Sequence, residues 1–226
     1  VSSKTPLDEE GNSAGVSVSD KQQMEGLSSR VKDEGKRSII DRATKAVNTL
    51  KSLFPDFDII LHDTDESYEG SKGKKGSNAS MMYRKNEDGS YSGSIHVNLN
   101  KANNRTIAHE VAHVALLKAF NDSKETYDAF RTKVSKILSA DTNARLTKFE
   151  ALYQGQEVGT EEFLVELSSM LSEGETKLSP STLQQIAQVI NEVVAKITGG
   201  KFTPFQDITD AKEIGEFLQS IGQAVK

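Results

Sequence analysis

The sequence predicts an α+β fold, a small sheet in the first half of the chain followed by helices. Three observations carry this. Short runs of β-type residues, with a hairpin signal between two of them, are confined to residues 57–99. From residue 105 onward apolar residues recur at helical spacing almost to the end. No period repeats along the chain, which removes solenoid and propeller architectures and leaves strands and helices in separate stretches.

The elements follow in order. Residues 1–34 are rich in Ser, Gly, Asp, Glu and Lys and poor in apolar side chains, the composition of a disordered tail or linker. Ile39, Ile40, Ala43, Ala46, Val47, Leu50 and Leu53 describe one face of an amphipathic helix that ends before Pro55. Phe57 to Leu61 reads as a buried strand and Ser67 to Asn78 as a polar loop. Ser80–Lys85 and Tyr91–Leu99 flank Asn86-Glu87-Asp88-Gly89, whose Asp-Gly pair marks a tight turn. In the second of these strands Ile95, Val97 and Leu99 alternate with His96 and Asn98. Asn103 and Asn104 supply N-cap chemistry for a helix from Arg105 to Phe120, with Ile107, Val111, Val114, Ala115 and Leu117 as its apolar stripe. Further helices are expected at Tyr127–Leu138, around Phe149 and Leu152, and at Glu161–Leu171. Another runs from Ser179-Pro180 to the Gly199-Gly200 stop, and a last one from Thr209 to Ala224. Residues 35–175 are then the main domain, and 176–226 a helical C-terminal extension.

Composition narrows the function. A chain of 226 residues is long enough for one sizeable domain, or for one domain with appendages. Its net charge of −5, with no basic block, argues against nucleic acid as a partner. No apolar run approaches the ~18 residues a membrane span needs. No signal peptide is visible, and the first residue is Val rather than Met, as in a processed fragment or a piece of a larger polypeptide. With no cysteine, any zinc site must use His and carboxylate ligands.

The chemistry concentrates in His109-Glu110-Val111-Ala112-His113, which reads H-E-x-x-H. On a helix, positions i and i+4 stand one turn apart on the same face, so the two imidazoles can hold one metal ion together. Glu110, beside the first, is placed to act on a water at that metal as general base. The chain has four histidines, so a chance match is on the order of a percent. The competing reading is a pair of ordinary, partly buried histidines on a core helix.

A catalytic zinc usually takes three protein ligands and one water. No histidine follows His113, and Leu116 and Ala119 occupy the Gly and His positions of the H-E-x-x-H-x-x-G-x-x-H extension, so the third ligand must be a carboxylate. In the 161–171 helix Phe163, Leu164, Leu167, Met170 and Leu171 form the core-facing stripe, and Glu162 and Glu166 lie along its flank. Glu162 is the leading candidate and Glu166 the next, with Asp141 and Glu150 as weaker alternatives. An acid one turn beyond the ligand suits a group that holds a ligating histidine from behind.

H-E-x-x-H followed by a helix carrying Glu162-x-x-x-Glu166 resembles the gluzincin branch of the zincin metallopeptidases, the thermolysin and anthrax lethal factor protease type. The likeness covers roughly residues 36–175 and rests on these two motifs. It implies a zincin-like fold, with an active-site helix packed on a small twisted sheet whose edge strand binds substrate backbone; Ile95, His96 and Val97 would lie in that edge. It implies Zn²⁺ on His109, His113 and Glu162, with Glu110 as base and Glu166 behind a ligating histidine. Tyr153 is the available donor for the oxyanion, since related proteases place a Tyr or His before the third ligand. The expected function is therefore a zinc endopeptidase acting on a protein or peptide. The alternative is a catalytically inactive module on the same scaffold, part of a phage or other multi-domain protein.

Overall fold

The computed structural model describes residues 15–71, 75–152, 162–172 and 176–224. A small mixed sheet of four strands is accompanied by helices, an α+β arrangement. The chain divides into two compact units, Val1–Val111 and Ala112–Lys226.

The sheet belongs to the first unit. Its strands are β1 (Val16–Ser17), β2 (Phe57–His62), β3 (Ala79–Lys85) and β4 (Tyr91–Asn98), in the order β1-β2-β4-β3. β2 and β4 run parallel, with Ile59 opposite Ile95 and Leu61 opposite Val97. The β1–β2 and β3–β4 pairs are antiparallel. Because side chains alternate along a strand, Phe57, Ile59, Leu61, Met81, Ile95 and Val97 share one face, and all are buried. Ile60, His62, Ser94, His96 and Asn98 fall on the other. The β3–β4 turn is the one the sequence marks: Asn86 N–H donates to Ser90 O at 2.8 Å, and Gly89 takes φ +82°, a conformation that favours glycine.

Three helices flank these strands. α1 (Lys21–Arg30) is capped by Asp20, which accepts from Gln23 N–H at 3.0 Å. α2 (Glu34–Leu53) is capped by Asp33 and buries the expected stripe from Ile39 to Leu53 against β2; Phe54, just before Pro55, is extended and ends it. α3 (Asp65–Gly70) starts at Thr64, whose hydroxyl accepts from Ser67 N–H at 3.1 Å.

Three expectations change here. Residues 15–34 are no featureless tail, since β1 and α1 lie within them; Val16, Val18, Leu27 and Val31 are few but all buried. The stretch read as a loop from Ser67 begins inside α3, which needs only one apolar anchor, the fully buried Tyr68. β4 is not an edge. It bonds to β2 on one side and β3 on the other, so Ile95, His96 and Val97 lie inside the sheet, and among the described residues β1 and β3 are the outer strands. The expectation of an edge at β4 failed because the parallel β2–β4 pairing joins segments far apart in sequence, and no local pattern reports it.

α4 (Thr106–Asp122) begins in the first unit and continues into the second. The second unit holds α5 (Lys124–Ile137), α6 (Ala140–Leu152), α7 (Glu162–Ser172), α8 (Pro180–Thr198) and α9 (Ala211–Ala224). Ser123 caps α5, and Ser179 with Pro180 starts α8. α8 packs on α5 and α9, α9 on α7, and α7 on α6. α8 and α9 are therefore part of this unit's helical packing. No helix among the described residues is long and apolar enough to cross a membrane.

Candidate metal centre

The histidine pair stands on a continuous helix. Asn103 fixes its start: its side-chain oxygen accepts from Arg105 N–H at 2.8 Å, and its own N–H donates to the Thr106 hydroxyl at 3.0 Å. α4 then runs without Gly or Pro through Asp122, and Ile107, Val111, Val114, Ala115 and Leu117 are buried along it. His109 and His113 fall one turn apart on one face, with Glu110 next to the first. His109 and Glu110 are half-buried and His113 is buried.

Two environments shape these side chains. Withdrawal from water pushes the Glu110 carboxyl up to about 7, near the range a general base needs. Its charge is felt at Tyr68, whose hydroxyl is raised chiefly by burial and bonds Ser77 Oγ at 2.7 Å. Tyr68 reaches this position because α3 is tied to the end of β4, where Asn98 Nδ2 donates to Asp65 Oδ1 at 3.0 Å. His113 meets a different neighbour. Its ring lies parallel to that of Phe217 on α9, with centroids 4.6 Å apart and planes 12° apart.

The remaining candidates are placed as follows. Glu162 is the first residue of α7, and its side chain lies outside the described residues, as does Tyr153 altogether. Glu166 is half-buried one turn further along α7. Glu150, a weaker alternative, is committed elsewhere: Arg131 grips both its oxygens at 3.0 and 3.1 Å, and Tyr127 donates to it at 3.1 Å. Asp141 sits exposed in the first turn of α6. Among the described residues no three His, Asp or Glu side chains gather as a metal-binding set. Two imidazoles on one helical face beside a desolvated carboxyl fit a borderline-soft divalent ion such as zinc, with the third ligand still to be supplied. A cavity of about 320 Å³ between α5 and α8, walled by Phe130, Lys133, Val189 and Val193, holds none of these residues.

The other two histidines, His62 and His96, form a second cluster. His62 Nε2 and His96 Nδ1 are 2.9 Å apart, and their rings stack at 5.2 Å. The outer nitrogens bond Ser67 Oγ at 2.8 Å and Ser94 Oγ at 2.9 Å. Burial, the largest cause in each, lowers both histidines to about 4; His96 adds repulsion at His62, which Asp63 partly offsets. A Cβ on Gly15 would run into Ile60 and the His62 ring, so bare backbone packs against His62 there.

No family model matches the chain, and neither a curated protein nor a solved structure matches it.

Proposed function

We propose that this chain is a zinc-dependent endopeptidase of zincin-like build. The observation that carries the reading is α4: a continuous helix bearing His109, Glu110 and His113 in H-E-x-x-H spacing, with the Glu110 carboxyl desolvated. In this reading His109 and His113 each offer one ring nitrogen to the ion, and Glu162 is the third ligand, with Glu166 accepting from the far ring nitrogen of a ligating histidine. Zinc, when bound, supplies a Lewis acid that brings the pKa of water toward ~7 and polarises the scissile carbonyl. Glu110 takes the water proton on its carboxylate and passes it to the departing amine. Its raised pKa suits both halves of that task, because a group poised near neutrality both accepts and returns a proton. Tyr153 is the proposed oxyanion donor. The substrate backbone is assigned to β3, the antiparallel outer strand among the described residues, in place of β4.

The test is hydrolysis of an unbiased peptide mixture by the zinc-loaded chain. Cleavage that a chelator stops and added zinc restores supports the reading. A zinc-loaded chain that cleaves nothing moves it to the inactive-module alternative.

A further inference from the structure

Resting on that reading, we infer that the C-terminal helix α9 is a clamp on the metal centre and that Phe217 is a positioning residue for the ligand His113. A metal–imidazole bond forms in the ring plane, so whatever sets the plane sets where the lone pair points. Against the face of His113 lies the Phe217 ring, at 4.6 Å and 12° from parallel. Both side chains are nearly sealed, at 6% and 1% exposure, which leaves the imidazole little room to rotate off the stack.

Phe217 is itself held. Phe205 meets it edge-on, with centroids 5.0 Å apart and planes at 89°. Phe205 in turn is pinned through its backbone to α8: Asn191 Nδ2 donates to Phe205 O at 2.9 Å, and Phe205 N–H donates to Asn191 Oδ1 at 3.1 Å. A buttress thus runs from Asn191 through Phe205 and Phe217 to His113. The same helix is fastened to the carboxylate-bearing one. α9 packs along α7, and Ser168 Oγ donates to Gln219 O at 2.9 Å. One element therefore sets the plane of a histidine ligand and holds the helix that carries Glu162 and Glu166. The rule that groups behind a ligand orient it then extends to an aromatic face.

The test is zinc affinity of the full chain, measured by competition with a chelating dye, for wild type, Phe217→Leu and Phe130→Leu. Phe130 is an equally buried ring on α5 that packs on Phe120, and its loss controls for general loosening of the helical unit. Phe217→Leu should bind zinc about 10-fold or more weaker with its helical circular dichroism retained, while Phe130→Leu binds as wild type. Wild-type affinity in Phe217→Leu overturns the clamp and leaves the metallopeptidase reading standing. Equal weakening in both variants also overturns it, as does a wild type that binds no zinc, which removes the metal reading as well. If Phe217→Leu does not fold, Phe205→Leu decides: weaker zinc binding supports the clamp, and unchanged binding overturns it.

Discussion

The four histidines fall into two pairs, one on a helix and one on the sheet. His109 and His113 are a turn apart on α4 with a glutamate between them whose proton affinity burial has moved toward neutrality. His62 and His96 come from β2 and β4, and their four ring nitrogens are consumed in a run from Ser67 through both rings to Ser94. The sheet pair is neutral, enclosed and hydrogen-bonded from end to end, which is what a structural histidine requires. The helix pair has the spacing and the adjacent carboxyl that metal-assisted hydrolysis requires. Residue type is the same in both cases; what separates them is a local spacing on one helix against a meeting of two strands.

That contrast can be broken most sharply at Glu110. Glu110→Gln should lower peptide hydrolysis by about 10²–10⁴-fold while zinc content stays at the wild-type level. A variant that cleaves like wild type would remove Glu110 from the chemistry.

The sheet pair answers to pH instead. Both histidines are lowered to about 4 in the fold, against 6.5 ordinarily, so the unfolded chain takes up protons first as pH falls. Their contribution is whole above pH ~6.5 and drains away toward pH ~4. In denaturant unfolding of the metal-free chain the pair's share of stability should fall by about 2–4 kcal/mol between pH ~7 and ~5, against an opposite gain from Glu110, whose raised carboxyl takes up its proton in the folded state over the same range. Relative to wild type, His96→Gln should therefore lose less stability across that range, by roughly half of the pair's share, and leave zinc content unchanged. An equal slope in the variant would mean that the pair is not what titrates.

The mildest change sharpens the same point. Gly15→Ala forces a methyl into Ile60 and His62 and should cost about 1–3 kcal/mol in unfolding experiments without altering zinc affinity.

The two pairs were also unequally legible. The helix pair shows in sequence because all its information is local, five consecutive residues on a periodic stretch with Asn103 ahead of it. α2 with its stop at Pro55, the Asn86–Gly89 turn and α8 between Ser179 and Gly199 are legible for the same reason. His62 and His96 gave no signal, because their meeting depends on the parallel β2–β4 register, in which Ile60 faces His96. Interior β4 was mistaken for an edge on the same ground. Phe217 looked like one more apolar residue on an amphipathic helix, and its pairing with His113 exists only once α9 has packed. Tyr68 was hidden by α3, a helix too short to leave a period. β1 and α1 lie in a stretch so polar that four buried side chains carry its attachment.

The most direct measurement is zinc per chain in purified protein, wild type beside His113→Ala and His96→Gln. A metallopeptidase built on α4 predicts about one zinc in wild type and in His96→Gln, and none in His113→Ala. Zinc absent from wild type after incubation with excess metal, or retained in full by His113→Ala, would contradict it.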